Sequence, residues 1–287
     1  MRREHSNLIP LGDSSSGAAF SIAGAQASLT PPRLNFPPAW PAPQQATFLA
    51  SGSGYDVWRV TCPQGRGIWR QRRSGASQPI LPQGAEEALL QQLAGQPWMP
   101  KLWAIAAQGQ LCAEVQGERV DPASVTQAQR DRLIQTLLAV WRTPTPSLHQ
   151  WDYPMLIETY WQQAGRPDEL EALKHQLQQQ AASWPSRVCL IHQDLHLENL
   201  LLVDQRDWVL LDWEYGGLGN PWLDAVAVDR WLGWTPAERA LLEAALADYH
   251  PQGSQAWCLM NKWLHGLDQL WAAACLAQLS RVKTAPA

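Results

Sequence analysis

The residues best suited to chemistry lie between Val188 and Tyr215. His192, Asp194 and Asn199 stand at the spacing His-x-Asp-x-x-x-x-Asn, and Asp212 ends the apolar run Trp208–Leu211. One carboxylate that orients a hydroxyl and takes its proton, with an amide oxygen and a second carboxylate to hold magnesium on phosphate oxygens, is the set that phosphoryl transfer needs. Asp194 is the candidate base, and Asn199 and Asp212 are the candidate metal ligands. Neither a turn nor a helix cap requires an Asn and an Asp at these offsets. Glu214, two residues on, is open between a metal, a substrate and the adjoining loop as its partner. His196 is open between loop packing and no specific role.

These side chains need a frame. Val188–Ile191 reads as an apolar strand that runs into the polar loop, Leu200–Val203 as a strand leaving it, and Trp208–Leu211 as a third strand after a turn. The loop and Asp212 then fall at one end of a small sheet. Around this segment the pattern is helical, over 125–141, 155–161, 169–182, 221–231, 236–249 and 256–279. Upstream, 47–115 reads as a small mixed unit. A strand at 55–60 follows Ser51-Gly52-Ser53-Gly54, a second strand covers 67–71, a helix runs from Gly84 to Leu93, and a hairpin spans 101–115. Residues 1–45, with a Ser cluster and prolines from Pro31 to Pro43, show neither period and read as a disordered leader.

The composition narrows the partners. At 287 residues, 46% hydrophobic and 17% charged, the chain can bury a proper core. A net charge of −4 argues against a nucleic-acid binder. No uncharged apolar stretch is long enough to span a membrane. Five scattered cysteines without a CxxC pair suit reduced thiols in the cytoplasm. Seventeen tryptophans beside three phenylalanines must be mostly packing.

With Asp194, Asn199 and Asp212 in this order, the chain resembles the aminoglycoside phosphotransferase/choline kinase family over about residues 47–280. Leu211-Asp212-Trp213-Glu214-Tyr215 and Glu158-Thr159-Tyr160-Trp161-Gln162-Gln163 resemble the bacterial thiamine kinase branch most closely. The resemblance implies an α+β, two-lobed protein-kinase-like fold with a small β-rich N-lobe, 46–116, and a larger, mostly helical C-lobe, 117–287. It places the catalytic loop at 190–215. His192 becomes a buried hydrogen-bonding post and Asp224 an acid that braces the loop, with a helix first-turn acid as its alternative reading.

The same resemblance makes the Gly52-Ser53-Gly54 turn a phosphate lid, since glycine lets backbone approach phosphate closely. Arg70 stands where protein kinases keep a lysine, with Arg72 and Arg73 as competitors. Glu86, ahead of Glu87, becomes the partner carboxylate of Arg70, and the connector at Glu114 and Val115 receives the nucleotide base. Glu158, Trp161, Trp213 and Glu214 are the candidate substrate contacts, with Trp222 nearby, because indole faces bind cations.

The expected activity is therefore an ATP- and Mg2+-dependent transfer to a small-molecule alcohol, thiamine first. Choline or ethanolamine comes second and an amino sugar or aminoglycoside third. A catalytically inactive kinase fold that binds a ligand is the alternative of another class.

Overall fold

A computed structural model describes residues 33–284 apart from 53, 74–80, 83, 146 and 251. Most of the expected leader, 1–32, and Ser53 of the expected lid lie outside the described residues. The elements are β1 (Gln45–Ser51), β2 (Tyr55–Cys62), β3 (Gly65–Arg72), α1 (Ala85–Leu93), β4 (Leu102–Ala106), β5 (Gly109–Ala113), α2 (Gln127–Arg142), α3 (Tyr153–Gln163) and α4 (Glu171–Ala182). They continue with β6 (Cys189–Ile191), β7 (Leu200–Val203), β8 (Asp207–Leu210), β9 (Gly217–Gly219), α5 (Trp222–Leu232), α6 (Pro236–Leu246) and α7 (Ala256–Thr284).

The first five strands form an antiparallel sheet in the order β1-β2-β3-β5-β4. Its register decides which side chains can reach the chemistry. Trp58 faces Trp69, and Trp69 faces Leu111, so these three share one face. Val57 faces Arg70, and Arg70 faces Gln110, which puts Arg70 on the other face. The Trp58–Trp69–Leu111 face carries its own small core with Val60 and Cys62. Phe36 and Trp40 close it, edge-on to Trp69 at 5.2 and 5.6 Å between ring centroids. Residues 34–44, assigned by sequence to the leader, are thus partly attached to the sheet.

The second, larger core is one cluster that runs from α1 through every later helix. Leu89, Leu90 and Leu93 give α1 a single apolar face, and that face packs into this cluster. The helix boundaries follow from local chemistry. Thr126 with Gln129, and Thr235 with Glu238, form capping boxes at α2 and α6. Gly233 ends α5 with φ 66°, a conformation that glycine adopts without a Cβ penalty. Eleven of the seventeen tryptophans are buried.

One element differs from the sequence reading. The segment 188–211 does not make a three-stranded sheet. β6 pairs with β9, and β7 pairs with β8, as two separate two-stranded ladders. The strands are only three or four residues long, so two short ladders can sit side by side with the polar loop between them.

Candidate active site

The loop between β6 and β7 carries His192, Asp194 and Asn199, and the end of β8 leads to Asp212. Two residues there hold left-handed backbone, Gln193 at φ 67° and Asp212 at φ 60°. Such conformations are costly for non-glycine residues and persist only where the surroundings over-determine them. The surroundings do so here. The Asp224 carboxylate, fully buried in the first turn of α5, accepts from the His192 and Gln193 amides at 2.9 and 2.8 Å, and from Trp141 Nε1 at 3.2 Å. His192 is also fully buried. Its Nδ1 accepts from the Asp194 amide at 3.3 Å, and its Nε2 meets the Leu211 carbonyl at 2.6 Å. With Nδ1 an acceptor, the proton resides on Nε2, and burial holds the ring's pKa below its ordinary value. His192 thereby ties the loop to the strand end that positions Asp212. A second tie is the Leu211 amide, which donates to the Asn199 carbonyl at 2.8 Å.

Asp194 presents its carboxylate towards solvent between two partners. Asn199 Nδ2 donates to its Oδ2 at 3.0 Å, and His196 Nε2 lies 3.4 Å away. Burial raises its pKa, but His196, His192 and Asn199 outweigh that, so the carboxyl ionises below its usual range. The same contact raises His196. Because Asn199 directs Nδ2 at Asp194, its Oδ1 is the oxygen it can offer a cation.

Beside Asp212, Arg70 on β3 sits in a nest of acids. It reaches Asp212 Oδ1 at 2.5 Å, Glu214 Oε2 at 3.4 Å and Glu86 Oε1 at 3.7 Å, and it lies 4.4 Å over the Tyr55 ring. Burial opposes its charge, but Asp212, Glu86 and Glu214 outweigh that and keep the guanidinium ionised. Glu86 is fixed in turn by the Tyr55 hydroxyl and by Gln110 Nε2, which donates at 2.7 Å. The competitors of Arg70 are engaged elsewhere. Arg72 pairs with Glu87 at 2.5 Å, and Arg73 donates to the Gly52 carbonyl at 2.7 Å.

Gly52 and Gly54 form the turn between β1 and β2, closed by the Gly52 amide on the Tyr55 carbonyl at 2.7 Å. Gly54 lies directly over Glu214: a Cβ built there would sit 3.5 Å from Oε2. Burial and the nearby Asp212 push the Glu214 carboxyl up to about 7, against Arg70. Buried acids of this kind cluster at functional sites.

At the connector, Glu114 is held on three sides. Its amide donates to the Arg66 carbonyl at 3.0 Å, and its carboxylate pairs with Arg59 and Arg66, each at 2.7 Å. Val115 follows, and its peptide groups make no hydrogen bond among the described residues.

Three of the four candidate substrate contacts, and Trp222 near them, have other employment. Trp213 is 2% exposed, donates its indole N–H to the Leu210 carbonyl at 3.1 Å, and stacks on Trp98 and His192. Trp222 is fully buried, with its N–H on the Leu246 carbonyl. Glu158 and Trp161 face α4, where Lys174 Nζ lies 3.3 Å from the Glu158 carboxylate and 3.7 Å over the Trp161 ring. The protein's own lysine therefore fills the place expected for a substrate cation. Of the four, Glu214 is the one placed against Arg70 and near Asp212.

Two tyrosines stand nearer the carboxylates of the loop. Tyr160 and Tyr215 are half-buried, near enough to Asp194 and Glu214 that these carboxylates add to desolvation in raising both hydroxyls. Both stand inside the two runs that carry the branch resemblance, which was the available signal. Tyr55 and Trp141 had none, because each acts through a partner distant in sequence.

The donors suit magnesium. Asn199 Oδ1 and the Asp212 carboxylate are hard oxygens on segments tied to each other. Among the described residues, no group of three or more His, Cys, Asp or Glu side chains could hold a metal ion by itself. A cation here would complete its shell with phosphate oxygens and water, as magnesium commonly does.

The family model described as "Phosphotransferase enzyme family" matches residues 45–260. No curated protein sequence matches the chain. Among solved structures, the choline kinase LicA from Streptococcus pneumoniae superposes with a TM-score of 0.64 at 16% identity, over 77% of this chain and 82% of that one. A choline/ethanolamine kinase family protein from Mesorhizobium loti gives 0.62 at 15%, over 85% and 82%. The streptomycin-ATP-APH(2")-IIa ternary complex gives 0.58 at 12%, over 84% and 92%. These likenesses show a kinase-like fold, with the five-stranded sheet as one lobe and the helical part as the other. With its family model matched from β1 to the start of α7, the chain belongs to the phosphotransferase enzyme family.

Proposed function

We propose that the chain transfers the γ-phosphoryl group of ATP to the hydroxyl of a small cationic alcohol, and that this alcohol is thiamine. The observation that carries the reading is the joint placement of Asp194, Asn199 and Asp212 by the buried His192 and Asp224. Asp194 would orient the hydroxyl and receive its proton as the new O–P bond forms and ADP departs with the bridging oxygen. A depressed carboxyl pKa suits this role, because in a loose transition state the proton moves late and positioning matters more than basicity. Magnesium held by Asn199 and Asp212 would supply charge neutralisation at the phosphates. Arg70 and the Gly52–Gly54 turn would steady them, with a planar fork in place of a lysine's point charge. The nucleotide base would lie against the connector at Val115.

Support for thiamine is the resemblance of the 158–163 and 211–215 runs, together with Tyr160, Tyr215 and Glu214 beside Asp194. Aromatic faces and a carboxylate suit one flat cation. Choline or ethanolamine is the second reading, favoured by the choline kinases among the similar structures. The five cysteines, all free, suit a reducing cytoplasm.

The test is ADP release from ATP and magnesium with thiamine, choline, ethanolamine and amino sugars offered singly, with Asp194→Asn as the blank. Turnover with thiamine that is lost in the variant supports the whole reading. Turnover with another alcohol keeps the mechanism and removes thiamine. Magnesium-dependent ATP binding without any ADP release would instead support an inactive, ligand-binding kinase fold.

A further inference from the structure

Glu86, the acid that faces Arg70, has each carboxylate oxygen pinned from a different strand. Gln110, directly opposite Arg70 in the β3–β5 pairing, donates its Nε2 to Oε1 at 2.7 Å. Tyr55, directly opposite Arg72 in the β2–β3 pairing, donates its hydroxyl to Oε2. Burial and the Glu86 charge raise the Tyr55 pKa, so the phenol keeps its proton and remains the donor. Oε1 is the oxygen nearer Arg70, 3.7 Å from Nη1. Arg72 lies 4.0 Å from Oε2 and pairs instead with Glu87 at 2.5 Å.

The Tyr55 ring meets Arg70 as well. Tyr55 opens β2 at only 6% exposure, and Arg70 is its diagonal cross-strand neighbour, within reach of an aromatic side chain. The guanidinium carbon of Arg70 lies 4.4 Å from the ring centroid, against 5.6 Å for that of Arg72. A guanidinium resting on an aromatic face is held without spending its N–H donors, so the fork stays available to anionic oxygens. Asp212 at 2.5 Å and Glu214 at 3.4 Å pull on the same fork. Without the ring, the acids alone would set where the guanidinium stands, and the nearest of them is Asp212. Tyr55 also closes the neighbouring turn, since its carbonyl accepts from the Gly52 amide at 2.7 Å. The turn and the arginine therefore share one post.

We propose that Tyr55 is a positioning residue for phosphate binding, its ring and hydroxyl setting the Arg70 guanidinium where it meets the phosphates of the nucleotide. The inference rests on the proposed reading of Arg70 as a phosphate contact. Tyr55 acts through Arg70 and not on the nucleotide directly.

The experiment measures dissociation constants of ATP and of adenosine for the full chain by calorimetry, with magnesium present and no acceptor alcohol. It compares wild type, Tyr55→Phe, Tyr55→Leu, Arg70→Met and the two double variants. Tyr55→Leu is expected to weaken ATP about tenfold and to leave adenosine within about twofold, because only the phosphates lose a well-placed partner. Tyr55→Phe keeps the ring and removes the hydroxyl, and should weaken ATP about threefold. In the Arg70→Met background neither Tyr55 substitution should weaken ATP further. Equal weakening of ATP and adenosine by Tyr55→Leu would mean a general loosening of the lobe and overturns the proposal. So do Tyr55 losses that add in full to that of Arg70→Met. ATP weakened by Arg70→Met but by neither Tyr55 substitution overturns the inference and leaves the reading of Arg70 standing. ATP unaffected by Arg70→Met removes that reading, and the inference with it. Should Tyr55→Leu fail to fold, Tyr55→Phe with and without Arg70→Met decides, because phenylalanine fills the same space.

Discussion

The loop that carries Asp194 and the Gly52–Gly54 turn, whose Gly54 lies over Glu214, are held in opposite ways. The two strained residues beside the reacting carboxylates are tied to something buried: Gln193 to Asp224, and Asp212 through Leu211 to His192. The turn has its own amide bond, an Arg73 side chain 46% exposed, and the Gly54 carbonyl, which accepts from the Arg73 amide at 3.0 Å. Groups that must meet a reacting oxygen within fractions of an ångström need burial behind them. A segment that has to admit and release a nucleotide needs ties that break cheaply. Under the proposed function, the two regions divide one site between precision and access.

That contrast can be broken at several points. The largest effect belongs to Asp194→Asn, which should lower kcat by about 10²–10⁴-fold while the melting curve stays close to wild type. Retained turnover would remove Asp194 from its role. A collapse of the fold would mean that the residue is structural, against its partly exposed side chain.

Next comes Asp224→Asn. One acceptor oxygen becomes an NH2 group aimed at a backbone N–H, inside a fully buried network. A loss of about 3 kcal/mol in chemical denaturation is expected, with lower activity following from the disordered loop. A variant as stable as wild type would show that the loop does not depend on this brace.

Glu214→Gln probes the junction of the two regions. A carboxyl that titrates at about 7 in the folded protein and near 4.5 when unfolded binds its proton more tightly in the fold. Its ionisation therefore destabilises the fold progressively between those two values, and the full cost applies above pH 7. The glutamine variant should gain on wild type by about 2 kcal/mol between pH 5 and pH 8, read from denaturation midpoints at both. A difference that does not change with pH would mean that Arg70 keeps Glu214 ionised throughout.

The smallest effect is expected for Arg73→Ala. It removes one exposed hydrogen bond from the turn and should cost less than about 0.5 kcal/mol. The KM for ATP should shift by no more than about threefold. A change in kcat comparable to that of Asp194→Asn would mean that the turn shares the loop's precision.

The loop was legible in the sequence because its chemistry is local. Asp194, Asn199 and Asp212 lie within nineteen positions, and the apolar runs on both sides announce short strands. Helices α2 and α6 were legible from their helical pattern, and the structure adds the Thr126 and Thr235 caps that fix where they start. The partners of Arg70 were legible only in part. Glu86 sits on the next helix, but Tyr55 and Gln110 meet it through strand pairings that the sequence does not display.

The tryptophans mark the other limit. Trp161 and Trp213 have the chemistry of a cation site, and indoles in sequence carry no label for wall or core. Lys174, thirteen positions beyond Trp161, takes the ring face as α3 and α4 pack together. Residue type and spacing over a few turns thus determine which reaction the chain is equipped for and where its helices begin. Which aromatic faces remain open and which acid is buried enough to stay protonated near pH 7 depend on packing between distant segments. Burial is a property of what surrounds a residue, and those surroundings come from elsewhere in the chain.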